Sequence, residues 1–187
     1  MRSDARSNRD QILAAAKIVF REQGVDAPMK EIADRAGVGV GTLYRRFPDR
    51  TTLITATGHA YLSDLAEMAE MARREETRAW STLCRLLGEC AELRLGALAS
   101  ALEPTLLYDE LHRDPQLTAI RGRVAEQVIA ITTQAQADGD LRVDVDPRDI
   151  AHLMTLQIYA RPDESYPDAV RRTMKIVVDG LRASQTD

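Results

Sequence analysis

Apolar residues recur at intervals of three and four along almost the whole chain, a spacing that admits helices and little else. Ile12, Ala15, Ala16, Val19 and Phe20 form one such stripe, the signature of a single buried helix face. Ile54, Tyr61, Leu65, Met68 and Ala72 repeat it, as do Leu117, Ile120, Val124, Val128, Ile131 and Ala135. Val170, Met174, Val177, Val178 and Leu181 close the chain with a fourth stripe. Aromatic residues make up only 4% of the chain, so the core must come from Leu, Ile, Val, Met and Ala. That mix favours helices over a β-sandwich. The one alternating stretch, Leu141 to Val145, has no second strand to pair with and is expected to be an extended linker.

The breakers divide this pattern into about nine helices. The first starts at Ser7, with Asp10 completing a capping box, and stops at Gly24. Asp26-Ala27-Pro28 opens a short helix with Ile32, Ala33 and Ala36 inside. Gly37-Val38-Gly39 connects it to another short helix, Val40 to Arg46, which Phe47-Pro48-Asp49 ends. A long helix is expected from Arg50 to Glu76, then a single one from Thr77 to Leu102 that is apolar on more than one side and therefore central. Glu103-Pro104 starts a short helix ending near His112. Asp114-Pro115 starts a long one, and Asp146-Pro147 caps another that contains Ile150, Leu153, Met154 and Ile158. A loop from Arg161 to Pro167 precedes the last helix. The expected fold class is all-α, with a three-helix unit over residues 1–50 and a helical body over 51–187.

Several kinds of chemistry find no support. Cys84 and Cys90 are the only cysteines, too few for a disulfide framework or a four-cysteine zinc site, and they read as small core residues. His59, His112 and His152 lie far apart, with no two spaced for one helical face, so no metal is expected. No Gly-rich phosphate loop follows a strand, and no Ser/His/Asp or Cys/His arrangement stands out, so neither an enzyme nor a cofactor is expected. Met1 is followed by Arg2-Ser3-Asp4-Ala5-Arg6 rather than an apolar stretch, and Leu95 to Leu102 is too short to span a bilayer. The expectation is a cytoplasmic protein with no membrane partner.

Charge points elsewhere. The chain carries −4 overall, yet residues 1–50 carry +3 and the remainder −7. A basic head on an acidic body suits an anionic partner for the head. Within that head, two short helices joined by a glycine-containing turn, with a supporting helix before them, make a helix-turn-helix. Its second helix is the one that enters the major groove of DNA. Leu43 and Phe47, four apart, would face Phe20, Ile32 and Ala33, leaving Thr42, Tyr44, Arg45 and Arg46 outward. A hydroxyl, a phenol and two guanidiniums suit phosphate oxygens and base edges. The arm from Arg2 to Arg9, with three arginines, is a candidate for phosphate or minor-groove contact.

Residues 12–53 resemble the TetR-type family of transcriptional regulators. The matching positions are Ile12, Ala15, Ala16, Phe20, Gly24, Ile32, Ala33, Ala36-Gly37-Val38, Gly41-Thr42-Leu43-Tyr44, Phe47 and Leu53. The resemblance implies a homodimer on a palindromic operator in double-stranded DNA, most often a repressor released by a small organic ligand. It implies that Val40, Gly41 and Arg45 approach bases, whereas Thr42, Tyr44, Arg46 and Arg50 approach phosphates. Arg45 is the candidate guanine reader, since its fork matches O6 and N7 together. Gly39 departs from the family, standing where many relatives cap the recognition helix with Ser. Pro28 and Met29 replace small hydroxyl residues at the start of the second helix.

The resemblance also implies dimerisation through the last two long helices, whose apolar stripes must be buried somewhere. A ligand pocket is implied in the body. Its candidate lining is Tyr61, Met68, Met71, Trp80, Leu83, Leu87, Leu106, Leu107, Tyr108 and Val128. The competing reading is a helical ligand- or partner-binding protein with a vestigial helix-turn-helix. The basic head and the intact Gly41-Thr42-Leu43-Tyr44 segment argue against it.

Overall fold

The apolar stripes become nine helices among the described residues, 2–75, 77–102 and 115–184 of a computed structural model. In chain order they are α1 (Arg2–Gln23), α2 (Met29–Arg35), α3 (Val40–Arg46), α4 (Arg50–Glu75), α5 (Ala79–Glu92), α6 (Leu95–Leu102), α7 (Pro115–Ala137), α8 (Pro147–Met154) and α9 (Tyr166–Leu181). Among the described residues no strand forms. Leu141 makes a lone antiparallel bridge to Arg182, with Arg142 N–H donating to Leu181 O and Ala183 N–H to Asp140 O. The short helix expected between Glu103 and His112 lies outside the described residues.

Two hydrophobic clusters organise these helices. The head core joins Ile12, Ala16, Val19 and Phe20 of α1 to Ile32 and Ala33 of α2, Leu43 of α3, Phe47, and Leu53 and Tyr61 of α4. The body core joins Leu65 and Ala69 of α4 to Trp80, Leu83, Leu86, Leu87 and Cys90 of α5, Val124, Val128 and Ile131 of α7, Ile150 and Met154 of α8, and Val170, Met174 and Leu181 of α9. Helix α4 serves both, so the head's apolar packing runs past residue 50 to Tyr61. Helix α5 packs against α4, α6, α7, α8 and α9. Its central position agrees with its apolar character on several sides.

Four boundaries differ from the sequence expectation. Helix α1 already runs from Arg2, so Ser7 and Asp10 lie inside it rather than at its cap. The segment ahead of Ser7 contains neither Gly nor Pro, and each added helical residue gains a backbone bond once the helix is nucleated. The single helix expected from Thr77 to Leu102 is broken in two. Arg94, with a φ of 52°, turns the chain there and directs Leu98 of α6 into the head core. Tertiary bonds hold that turn: Arg94 Nε donates to Arg21 O at 2.9 Å, and its guanidinium lies 3.5 Å from the Tyr166 ring centroid.

Helix α8 stops at Met154 instead of reaching Ile158, because the chain beyond it crosses α6 at close range. Pro167 sits in the first turn of α9 rather than in the preceding loop, and Ser165 caps that helix by accepting from Asp168 N–H. By contrast, Asp146-Pro147 starts α8 as expected, with a reciprocal capping box between Asp146 and Asp149.

Candidate nucleic-acid interface

Helix α3 is positioned from within. Leu43 is wholly buried and Phe47 is 1% exposed, so one side of this seven-residue helix is anchored in the head core. The turn before it uses Gly37 at a φ of 66°, a left-handed conformation that glycine adopts without a Cβ penalty. Val38 N–H then donates to Ala33 O, closing α2 onto the turn. Gly39 caps α3 with no side-chain bond, as the missing hydroxyl dictates. Pro28 likewise gives α2 no side-chain cap, while Met29 is buried in the head core.

The opposite side of α3 faces outward. Gly41, Tyr44, Arg45 and Arg46 are exposed, and Val40 and Thr42 are half-buried. Arg45 Nη2 donates to Thr42 Oγ1 at 2.9 Å, one turn back on the same face. The neighbouring cations are already engaged: Lys30 pairs with Asp34 and Arg35 with Glu22. Neither Arg45 nor Arg46 has an acidic partner among the described residues. Their charge is therefore available to an outside anion, whereas that of Lys30 and Arg35 is locally offset.

Arg50 is used differently. Its Nη1 donates to both Val25 O and Ala27 O at 2.7 Å, half-buried, and so ties the start of α4 to the loop between α1 and α2. The phosphate role that the resemblance implies for it competes with this clamp. The arm is also recast, since Arg2 to Arg9 are part of α1. Arg9 stacks over the Phe47 ring at 5.3 Å, beside the C-terminal end of α3.

The head is fastened to the body along α1. Tyr61 of α4 is 1% exposed, and its hydroxyl donates to Lys17 O. Burial pushes the Tyr61 phenol well above its ordinary range, so it remains a donor at any physiological pH. Lys17 pairs with Asp64 of α4, and Arg21 with Glu92 at the end of α5. Arg94 completes the join by bonding α1 and stacking on α9. The sequence holds no motif for Arg94, because its partners come from two separate helices, α1 and α9.

The residues suggested for a pocket are not gathered in one place. Tyr61 belongs to the head core, which corrects its assignment to the wall of a body pocket. Trp80, Leu83 and Leu87 are packed inside the body core, Met68 is half-buried against it, and Met71 is exposed. Arg182 stacks over the Trp80 ring at 5.0 Å. Leu106, Leu107 and Tyr108 lie outside the described residues. Of the suggested set, Val128 lines an apolar groove between α4, α7 and α8. Cys90 is buried and its thiol is pushed up to about 12, chiefly by desolvation; burial raises Cys84 as well. Both thiols are thus protonated near neutrality, which disfavours nucleophilic or sensing chemistry.

The last two long helices, α7 and α9, spend their main stripes within the protomer. Val124, Val128, Ile131 and Ala135, together with Val170, Met174 and Leu181, all lie in the body core. Their burial therefore needs no second copy, contrary to the argument from periodicity. The apolar residues left outside are Ile129 on α7 and Ile176 on α9, 52% and 65% exposed. Among the described residues no helix is long and apolar enough to cross a membrane.

Comparison with known proteins agrees with this architecture. Residues 12–57 match the family described as bacterial regulatory proteins, tetR family. Residues 78–183, more than half of the chain, match the C-terminal domain described as transcriptional regulator SbtR-like. A helix-turn-helix-type transcriptional regulator of Staphylococcus aureus is 46% identical over 54 residues, which is 28% of this chain and 29% of that protein. The chain thus matches less than a third of the length of its curated relatives. Over the whole fold, a TetR transcriptional regulator from Streptomyces coelicolor is 30% identical with a TM-score of 0.63, covering 94% of this chain and 99% of that one. A TetR transcription regulatory protein from Mycobacterium vanbaalenii is 27% identical with a TM-score of 0.61, covering 97% and 99%. With a match over more than half its length, and with α2 and α3 presenting an anchored helix whose outer face is cationic, the chain belongs to the TetR family of DNA-binding transcriptional regulators.

Proposed function

We propose that this regulator binds a palindromic operator as a homodimer, represses from it, and is released by a small organic ligand. The observation that carries the reading is the outer face of α3. Arg45 and Arg46 stand there without acidic partners among the described residues, beside Thr42 and Tyr44, on a helix held from behind by Leu43 and Phe47. Arg45 reads a guanine, with Val40 and Gly41 close to neighbouring base edges. Thr42, Tyr44 and Arg46 hold phosphates and set the register. Dimerisation through α7 and α9 spaces two such helices about one DNA turn apart, roughly 34–36 Å. The exposure of Ile176 supports α9 as part of the interface.

Release follows from the shared helix. Because α4 belongs to both cores, a ligand that shifts the body also tilts the head and changes the half-site spacing. The ligand must bind the released state more tightly by a few kcal/mol to shift the population usefully. The test is fluorescence anisotropy with DNA from immediately upstream of the protein's own gene, at two salt concentrations, against random competitor. Selective and salt-sensitive binding supports the reading. Failure to bind even random DNA at low salt would leave the head vestigial.

A further inference from the structure

The groove between α4, α7 and α8 combines an apolar wall with two arginines. Its wall is almost wholly apolar, formed by Leu62, Leu95, Val124, Val128, Ile129 and Met154 around a volume of about 380 Å³. That is within the range of about 300–1,000 Å³ typical of small-molecule sites. Arg121 of α7 and Arg148 of α8 also line it. Neither has an acidic partner among the described residues.

Arg73, Arg74, Arg161 and Arg182 also form no ion pair among the described residues, but none of them lines the groove, and other body arginines are paired. Arg78 pairs with Asp140, Arg123 with Glu70, Arg142 with Asp144, Arg171 with Asp168 and Arg172 with Glu164. Arg121 is moreover half-buried. A guanidinium partly withdrawn from water without a counter-charge is costly, and an incoming anion removes that cost. A second cleft, between α1 and α9, also holds arginines, but there Arg21 already pairs with Glu92 and Arg94 stacks on Tyr166.

We infer that the groove binds an organic anion with an apolar body, its carboxylate or sulfonate held by Arg121 and Arg148. As the effector site, the inference rests on the ligand-released regulator proposed above. The groove touches α4 through Leu62, one residue beyond the Tyr61 anchor of the head core. Occupancy would therefore act on the helix shared by head and body.

The test compares anilinonaphthalene sulfonate with phenylnaphthylamine, which has the same rings without the anionic group. Both are titrated by fluorescence into the full chain at two protein concentrations. The sulfonate is expected to bind tighter by about tenfold or more, the factor that a charge-assisted hydrogen bond supplies. The double variant Arg121→Gln, Arg148→Gln should lose that preference while retaining the neutral probe. Ala151→Phe, at an exposed position on the groove wall, should weaken both probes with little effect on folding, checked by circular dichroism.

Equal affinity for the two probes, or an unchanged preference in the double variant, overturns the inference. So does indifference of both probes to Ala151→Phe. Binding that falls as protein concentration rises assigns the groove to a second copy and likewise overturns it. Operator anisotropy with and without decanoate is read separately. Groove binding that leaves DNA affinity unchanged sinks the effector role alone, whereas loss of DNA binding in every condition sinks the regulator reading.

Discussion

At the scale of residues, Arg45 and Arg46 of α3, which lack acidic partners among the described residues, should separate by role. Arg45→Ala is expected to relax preference at one base position by about 1–3 kcal/mol, measured by competition among operator variants. Arg46→Ala should weaken all sequences alike and flatten the dependence on salt. A sequence-selective loss in Arg46→Ala would exchange the two assignments. Arg50 makes a different case, since its guanidinium already serves Val25 O and Ala27 O. Arg50→Ala should destabilise the head by about 1–3 kcal/mol in urea unfolding, the usual worth of hydrogen bonds from a charged group. An undisturbed midpoint with a reduced salt slope on DNA would restore the phosphate role. The sequence showed which residue types sit on α3. It did not show which cations are offset, because Glu22 and Arg35 meet only when α1 and α2 pack.

At the scale of elements, the chain after α8 crosses α6 at close range. A Cβ placed on Gly96 would lie 2.4 Å from Thr155 O and 2.9 Å from Leu156 C, both backbone atoms that cannot rotate away. Gly96→Ala should therefore cost about 1–3 kcal/mol by overpacking, read from the urea midpoint. An unchanged midpoint would mean that the two segments part freely. The entry to α9 should carry a pH dependence. Arg172 grips Glu164 through two hydrogen bonds, at 2.8 and 2.9 Å, and holds its carboxyl down to about 2 from the usual 4.5. A depressed carboxylate stabilises the fold above its unfolded value and loses that contribution as pH falls toward the folded one. The difference in melting temperature between the natural chain and Glu164→Gln should thus be full at neutral pH and shrink between about pH 4.5 and 2. A difference that is constant with pH would remove Glu164 from this role.

For the whole molecule, the matter to test is whether two copies meet through α7 and α9, as proposed. The main stripes of these helices are already consumed in the body core, so the proposed dimer would form on what remains. Ile176→Glu replaces a 65% exposed side chain and should leave the protomer folded. It is expected to shift sedimentation at micromolar concentration from dimer toward monomer and to weaken operator binding in parallel. A variant that sediments and binds like the natural chain would place the interface elsewhere.

What the sequence determined by itself was local: helices wherever apolar residues repeat at three and four, and a turn at Gly37. The recognition helix was local too, read from seven consecutive residues between Gly39 and Phe47. Asp146-Pro147 was legible for the same reason, since a cap is visible within a few residues, whereas the bridge from Leu141 to Arg182 was not, its partner being distant in sequence. The tertiary structure decided whatever depended on distant neighbours. It broke the helix expected from Thr77 to Leu102, because Arg94 gains Arg21 and Tyr166 only when three helices converge. It drew Tyr61 into the head core, and it grouped Leu62, Arg121 and Arg148 around one groove although they are far apart in sequence. Periodicity tells which face of a helix is buried, but not against what. Cavities and ion pairs depend on the second partner, which is supplied by packing alone.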